Sequence, residues 1–331
     1  MSDGRQLDEL SPLLVSRAEA LARGRTPDEL RWLLRTGRWT ALRRGLYVAT
    51  DDLAPPDDAH RRFWLEALAL ARHLDRPTAA FSHATAARMW GLQRSTSAGS
   101  ALRLTDVAGS RTGRGFRISE SALPSDEVLR AGPIRVTSPA RALVDCAREW
   151  SELDAVAALD DALLREKVRL PELRDVLARG PHRPGTPAAR RAVDRADGRS
   201  ESWLESAWRV RHLGAGLPAP QLQVEIWIEG RLVKVVDGWL PDHALAFECD
   251  GQVKYRAPYR GRTPAQVLWD EKRAEDALRT VGIRVVRVVD ADVRAGWPAL
   301  VARSRREVAA PVPPLGAFRA VPRLRGRVRP R

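Results

Sequence analysis

The residues best suited to chemistry lie between positions 235 and 255, in VVDGWLPDHALAFECDGQVKY, where Asp237, Glu248 and Asp250 stand among apolar neighbours. A carboxylate inside a strand-like run is costly to bury unless a cation or donor offsets it, so acids in this setting need an explanation. Successive side chains of a strand face opposite ways. Leu245, Phe247 and Cys249 therefore share one face, and Ala246, Glu248 and Asp250 the other. Asp237 ends the preceding apolar run at 233–236, and a hairpin turning through Leu240, Pro241, Asp242 and His243 brings it beside Glu248. Three carboxylates then converge.

The elements that must position these acids follow from periodicity. A helix carrying Glu201 and Glu205 one turn apart precedes strands at 222–228, 232–236 and 244–250. A helix over 264–281 and a strand over 283–289 complete an αβββαβ order.

That order, with Asp at the end of the second strand and Glu-x-Asp-Gly ending the third, resembles the restriction-endonuclease-like superfamily, and more narrowly its very-short-patch-repair-like family of unassigned function. The matching pieces are Ser202 and Glu205, Val236-Asp237, Glu248-Cys249-Asp250-Gly251, Lys254 and the strand Gly282-Ile283-Arg284-Val285-Val286-Arg287, within residues 200–292. The resemblance implies metal-dependent hydrolysis of phosphodiester bonds. Such hydrolysis uses Mg²⁺ or Mn²⁺ to polarise the phosphoryl oxygen and acidify a bound water, and a hard cation of this kind takes carboxylate oxygens. Asp237 and Glu248 are the expected ligands, and Glu205 is implied as a third acid that orients a metal-bound water or holds a second metal. A cation should also stabilise the charge developing on the phosphate. The superfamily pattern places lysine two residues after the acid, where this chain has Asp250. Lys254 or Lys272 then supplies the charge from a displaced position, or Asp250 is a further metal ligand, or the site is degenerate.

At 331 residues with a net charge of +14, the chain is long enough for several domains, and its charge favours a polyanionic partner, most simply nucleic acid. A genome rich in G and C also raises arginine everywhere, so charge alone is a moderate clue. Residues 311–331 hold six arginines, five prolines and no acid, which reads as a disordered basic tail. The two cysteines, far apart in apolar settings, exclude a disulfide framework and a cysteine-rich zinc module. No apolar run approaches the ~20 residues of a membrane span, and the first residues lack a signal-peptide pattern, so a cytoplasmic protein is expected.

Towards the start of the chain, Thr26, Pro27 and Glu29 read as a capped helix start, Gly37 as its stop, and Trp39-Thr40-Ala41-Leu42 and Leu46-Tyr47-Val48 as a hairpin about Arg43-Arg44-Gly45. With an earlier helix over 11–23 this is the layout of a winged helix-turn-helix. Arg31, Arg35 and Arg38 populate the polar side of the helix, and Arg43 and Arg44 are placed for phosphates. The run DELRWLLRTGRWTALRRGLYVA resembles the N-terminal winged-helix domain of AbiEi-type antitoxins from abortive-infection systems, and VTSPARALVDCAR at 136–148 resembles a junction in their following domain. That resemblance implies DNA contact and, more loosely, a toxin or defence-system partner.

The remaining stretches are plainer. His83 reads as a helix-start residue, Asp160-Asp161 as solvated surface, and the glycine- and arginine-rich turn at 109–115 as a basic hairpin tip rather than a phosphate-binding P-loop. The expected architecture is α/β and multidomain: a winged helix over 1–55, an α/β middle domain over 56–180, a linker at 181–199, an endonuclease-like domain over 200–305 and the tail from 306. Two functions follow: a DNA-binding protein with a metal-dependent endonuclease-like domain, in phage defence or DNA repair, or a non-catalytic antitoxin-type DNA-binding regulator.

Overall fold

Helix starts are set by side chains that satisfy the free N–H groups of the first turn. Thr26 Oγ1 accepts from Glu29 N at 3.2 Å while Glu29 Oε2 takes the Thr26 N–H at 2.8 Å, the reciprocal capping box expected there. Ser16 and Glu19 form a second such box, and it explains a difference from expectation. The helix anticipated over 11–23 is confined to Arg17–Ala22, because Ser16 restarts the chain after a short strand at Val15–Ser16.

The computed structural model describes residues 3–53, 59–92, 99–251 and 264–323. It is a mixed α/β chain in two compact units that divide after Cys146. The first holds helices α1 (Asp3–Leu10), α2 (Arg17–Ala22), α3 (Pro27–Arg35), α4 (Thr50–Leu53), α5 (Ala59–Leu74), α6 (His83–Met89) and α7 (Pro139–Ala147). Its strands are β1 (Val15–Ser16), β2 (Trp39–Arg43), β3 (Leu46–Ala49), β4 (Ala80–Phe81), β5 (Leu102–Asp106), β6 (Arg111–Gly113), β7 (Phe116–Glu120), β8 (Val128–Ala131) and β9 (Ile134–Thr137). They form one sheet in the order β1-β3-β2 and another in the order β6-β7-β5-β4-β9-β8. Leu7, Leu46 and Val48 share one core with Phe63, Trp64, Leu104 and Val136. The segments expected as separate domains over 1–55 and 56–180 are thus joined as far as residue 146, and His83 opens α6.

In the second unit, α8 (Glu152–Leu164), α9 (Leu170–Ala178) and α10 (Thr186–Arg195) precede α11 (Trp203–Gly214). Then come β10 (Gln221–Ile228), β11 (Arg231–Leu240), β12 (Leu245–Asp250), α12 (Pro264–Thr280), β13 (Arg284–Val289), α13 (Trp297–Ala309) and β14 (Arg319–Pro322). The sheet order is β13-β12-β11-β10-β14, antiparallel except for the parallel pair β12–β13. Alternation along β12 works as read from the sequence. Leu245, Phe247 and Cys249 pack with Leu204 and Trp208 of α11, while Ala246 packs with Val236, Trp239 and Leu278 of α12. Burying a side chain such as Phe247 contributes roughly 2 kcal/mol.

Three expectations are corrected here. Residues 181–199 contain α10, whose Ala189, Ala192 and Val193 are buried, so small apolar residues make a packed helix where a linker was read. The segment from 306 continues α13 and then supplies β14, paired to β10 from Val224↔Pro322 to Trp227↔Arg319, in place of a disordered tail over those residues. Asp160 and Asp161 are buried rather than solvated: Asp160 accepts from Arg209 Nη2 and Ser206 Oγ and from Asp197 N, tying α8 to α11. Among the described residues no helix is long and apolar enough to cross a membrane.

Candidate functional site

The acids are brought together where β10 and β11 change faces. Leu222 and Gly238, opposite each other, look toward α11, whereas Val224 and Val236, also opposite each other, look toward α12. Side chains two apart in a strand normally share a face, so both strands switch at Gln223 and Asp237. Gln223 carries the switch in its backbone, with φ of +51°, a left-handed conformation that is costly for a residue with a side chain. Gly238 is required by the same arrangement, since a Cβ there would lie 2.3 Å from the Trp208 ring.

Buried Gln223 holds two of the carboxylates with one amide. Its Nε2 donates to Glu205 Oε2 at 3.0 Å and to Asp237 Oδ1 at 3.1 Å. Asp237 Oδ2 accepts from Cys249 N at 2.7 Å, which fixes the carboxylate against β12. Glu205 reaches this point from the first turn of α11, where it also accepts from Glu201 N and Ser202 Oγ. Glu248 lies on the next strand, and the Lys234 ammonium is 2.5 Å from its Oε2. Among the described residues, buried Glu248 Oε1 has no hydrogen-bond partner.

These surroundings oppose ionisation. Burial, then the charge of Asp237, lifts the Glu205 carboxyl to about 8. Burial also raises Glu248 to about 7, against the pull of Lys234 and with the push of Asp237. The Cys249 thiol is driven well up by burial and by the same acids. A cluster of carboxyl groups titrating near neutrality is a recurrent mark of functional sites.

The structure brings Glu205 and Asp237 together through Gln223 and places Glu248 on the adjoining strand, with Asp237 inside β11 rather than at its end. Asp250 closes β12, with its carboxylate 3.7 Å from Arg287 Nη1. Lys254 lies outside the described residues, and Lys272 is exposed on α12. Arg31 and Arg35 are exposed on α3, Arg31 paired with Asp28, whereas Arg38, expected on the same helix, lies beyond its end because the helix stops at Thr36 and Gly37; it is exposed and stacks over Trp32 at 5.0 Å. Arg44 is exposed beside Arg43, which gives one N–H to the Arg114 carbonyl. Sequence reasoning missed Gln223, Lys234 and Arg287. A signal existed for Lys234: it stands two residues before Val236, on the face shared with Ala246 and Glu248.

The donor set consists of hard carboxylate oxygens, and among the described residues Glu248 Oε1 is an acceptor without a donor, so the residues suit Mg²⁺ or Mn²⁺. Among the described residues no three His, Cys, Asp or Glu side chains are pre-arranged around a metal position. The positive charge at Glu248 comes from Lys234.

No family model matches this chain. It is similar to an uncharacterized protein of Mycobacterium tuberculosis in each of two strains, CDC 1551 / Oshkosh and ATCC 25618 / H37Rv, at 35% identity over 172 residues. The match covers 52% of this chain and 61% of each relative, so the chain spans about three-fifths of the length of the curated relatives it matches. Among solved structures it is similar to the RV2827C protein from Mycobacterium tuberculosis, with a TM-score of 0.41 and 17% identity over 57% of this chain and 75% of that one.

Proposed function

We propose that this chain binds DNA through a winged-helix-like region in its first unit and carries, in its second, a restriction-endonuclease-like site for metal-dependent hydrolysis of phosphodiester bonds. The observation that carries this reading is the buried pair Glu205 and Asp237, joined through Gln223 at a strained point of the sheet, with buried Glu248 near enough to Asp237 to feel its charge. Asp237 and Glu248 are the residues to hold Mg²⁺ or Mn²⁺, with Asp250 at the edge of the group. The ion, when bound, polarises the phosphoryl oxygen and acidifies an attacking water. Glu205, with its raised pKa, accepts or returns a proton near neutral pH. Lys234 supplies the positive charge that the sequence pattern lacks at position 250. The net charge of +14 draws a polyanion to the protein before any specific contact forms.

The test is incubation with supercoiled, linear and mismatched DNA in Mg²⁺ or Mn²⁺, beside Asp237→Ala and Glu248→Ala. Cleavage by the wild type and its loss in both variants is expected. Intact DNA under every condition, or variants that cut as well as the wild type, overturns the nuclease.

A second reading has its own observation. Lys234 satisfies one oxygen of Glu248, and Glu205 is engaged in the start of α11, so the acids are partly accommodated without a metal. On that reading the chain is a non-catalytic DNA-binding regulator of the antitoxin type, with a toxin or defence-system partner. Duplex binding without cleavage in the same assay selects it.

A further inference from the structure

Two turns of the first unit that are far apart in sequence lie side by side. Arg43, the last residue of β2, donates from Nη1 to the carbonyl of Arg114, in the turn between β6 and β7, at 3.0 Å. Gly115, next to it, has a φ of +73°, the left-handed conformation that favours glycine in this turn. The β2–β3 turn with Arg44 and the β6–β7 hairpin therefore form one surface.

That surface concentrates charge that the protein leaves unneutralised. Arg44, Arg111, Arg114 and Arg117 are all exposed, and among the described residues none of the four forms an ion pair with an acid. Several other arginines of the same unit are matched, Arg62 with Glu66, Arg72 with Glu19, Arg76 with Asp106, and Arg141 with Glu127 and Asp145. Arg111 and Arg117 line a shallow groove of about 480 Å³ with Ser110, Thr112, Ser119 and Glu120. Arg43 is held below its ordinary pKa by burial, against the pull of Glu66 and with a smaller push from Arg114. A row of exposed guanidinium groups with hydroxyls beside them matches phosphate oxygens.

We propose that the β6–β7 hairpin is a second phosphate-binding element, continuous with the β2–β3 turn, that tracks the backbone of the duplex DNA engaged by α3. This rests on the DNA-binding reading above and adds to it a part of the chain that neither α3 nor the first hairpin includes. Because phosphates carry no base identity, the hairpin adds affinity and salt sensitivity without changing sequence preference.

Salt dependence measures it directly. Each phosphate contact contributes about 0.9 to the slope of log K against log salt for a duplex. The variant Arg111→Ala/Arg114→Ala/Arg117→Ala keeps the carbonyl that Arg43 uses, and circular dichroism checks that its fold is intact. Fluorescence anisotropy with a labelled duplex from about 50 to 200 mM salt is expected to give a slope shallower by about 2–3 for this variant. Arg130→Ala is the control: it is exposed on β8, at the opposite edge of the same six-stranded sheet, and should leave the slope unchanged. A wild-type slope in the triple variant overturns the hairpin assignment while duplex binding stands. An equal loss per residue from Arg130→Ala overturns it too, by reducing the effect to net charge. Absence of duplex binding by the wild type at every salt concentration overturns the DNA reading itself and this inference with it.

Discussion

The Lys234 ammonium lies 2.5 Å from Glu248 Oε2, so the acid singled out by strand alternation has a resident counter-ion on the neighbouring strand. Both side chains are largely out of water, and removing one partner of such a pair strands the other. A double-mutant cycle with Lys234→Met and Glu248→Gln should give a coupling energy on the order of 1–3 kcal/mol by urea denaturation. Additive single effects would mean that the contact contributes nothing to the folded state.

Glu205 makes stability depend on pH in a defined direction. Its folded pKa of about 8 stands above the ordinary 4.5, so the folded state keeps a proton that the unfolded chain releases. The stabilisation is fully present below the unfolded value and is lost as pH rises through the folded one. Glu248, raised to about 7, acts in the same sense. Denaturation midpoints should fall from pH 5 to pH 9, by about that linkage, and Glu205→Gln should flatten the decline. A variant as pH-sensitive as the wild type would remove Glu205 from this role.

Asp160 gives the sharpest stability test outside the acid cluster. Its salt bridge to Arg209 is 2.8 Å long and closed to solvent on both sides. Asp160→Ala leaves a buried guanidinium without its carboxylate and should cost about 3–5 kcal/mol. By the same reasoning a fragment starting at residue 147 should unfold cooperatively, and one starting at residue 200 should not, as read by thermal melts.

The two cysteines, Cys146 and Cys249, are both buried, and the Cys249 thiol is held well above its ordinary pKa. A thiolate reagent attacks only the ionised, accessible form. Native protein should therefore show no fast-reacting thiol and denatured protein two. Rapid modification of Cys249 in the native state would place open solvent at the acid cluster.

Much of the second unit was legible because its strands alternate strongly. The strands expected at 222–228, 244–250 and 283–289 differ from β10, β12 and β13 by at most a residue at either end. What stayed hidden has physical reasons. Helix α10 buries alanines, which carry little hydrophobic signal yet allow close approach to α8. Asp160 looks like surface because its partner Arg209 lies 49 positions away. Lys234 reads as an outward-facing strand residue until β12 is laid beside β11, and Gln223 is uncharged in a run whose only apparent message is apolar alternation. The tail misled by composition: Arg319–Pro322 needs only backbone groups to pair with β10. DNA contact and metal binding are proposals carried by side chains, and the fold alone does not contain them.

Strand β14 has one more consequence. It occupies the free edge of β10, and just beyond it Arg323 N donates to the Gln223 carbonyl at 3.0 Å while its guanidinium holds Glu201 at 2.9 Å. An uncovered edge strand offers a row of unpaired amides to any other chain. This short segment is thus a guard against self-association, laid over the same strand that carries the strained glutamine. Losing it would turn the outer strand of a candidate catalytic sheet into a template for aggregation.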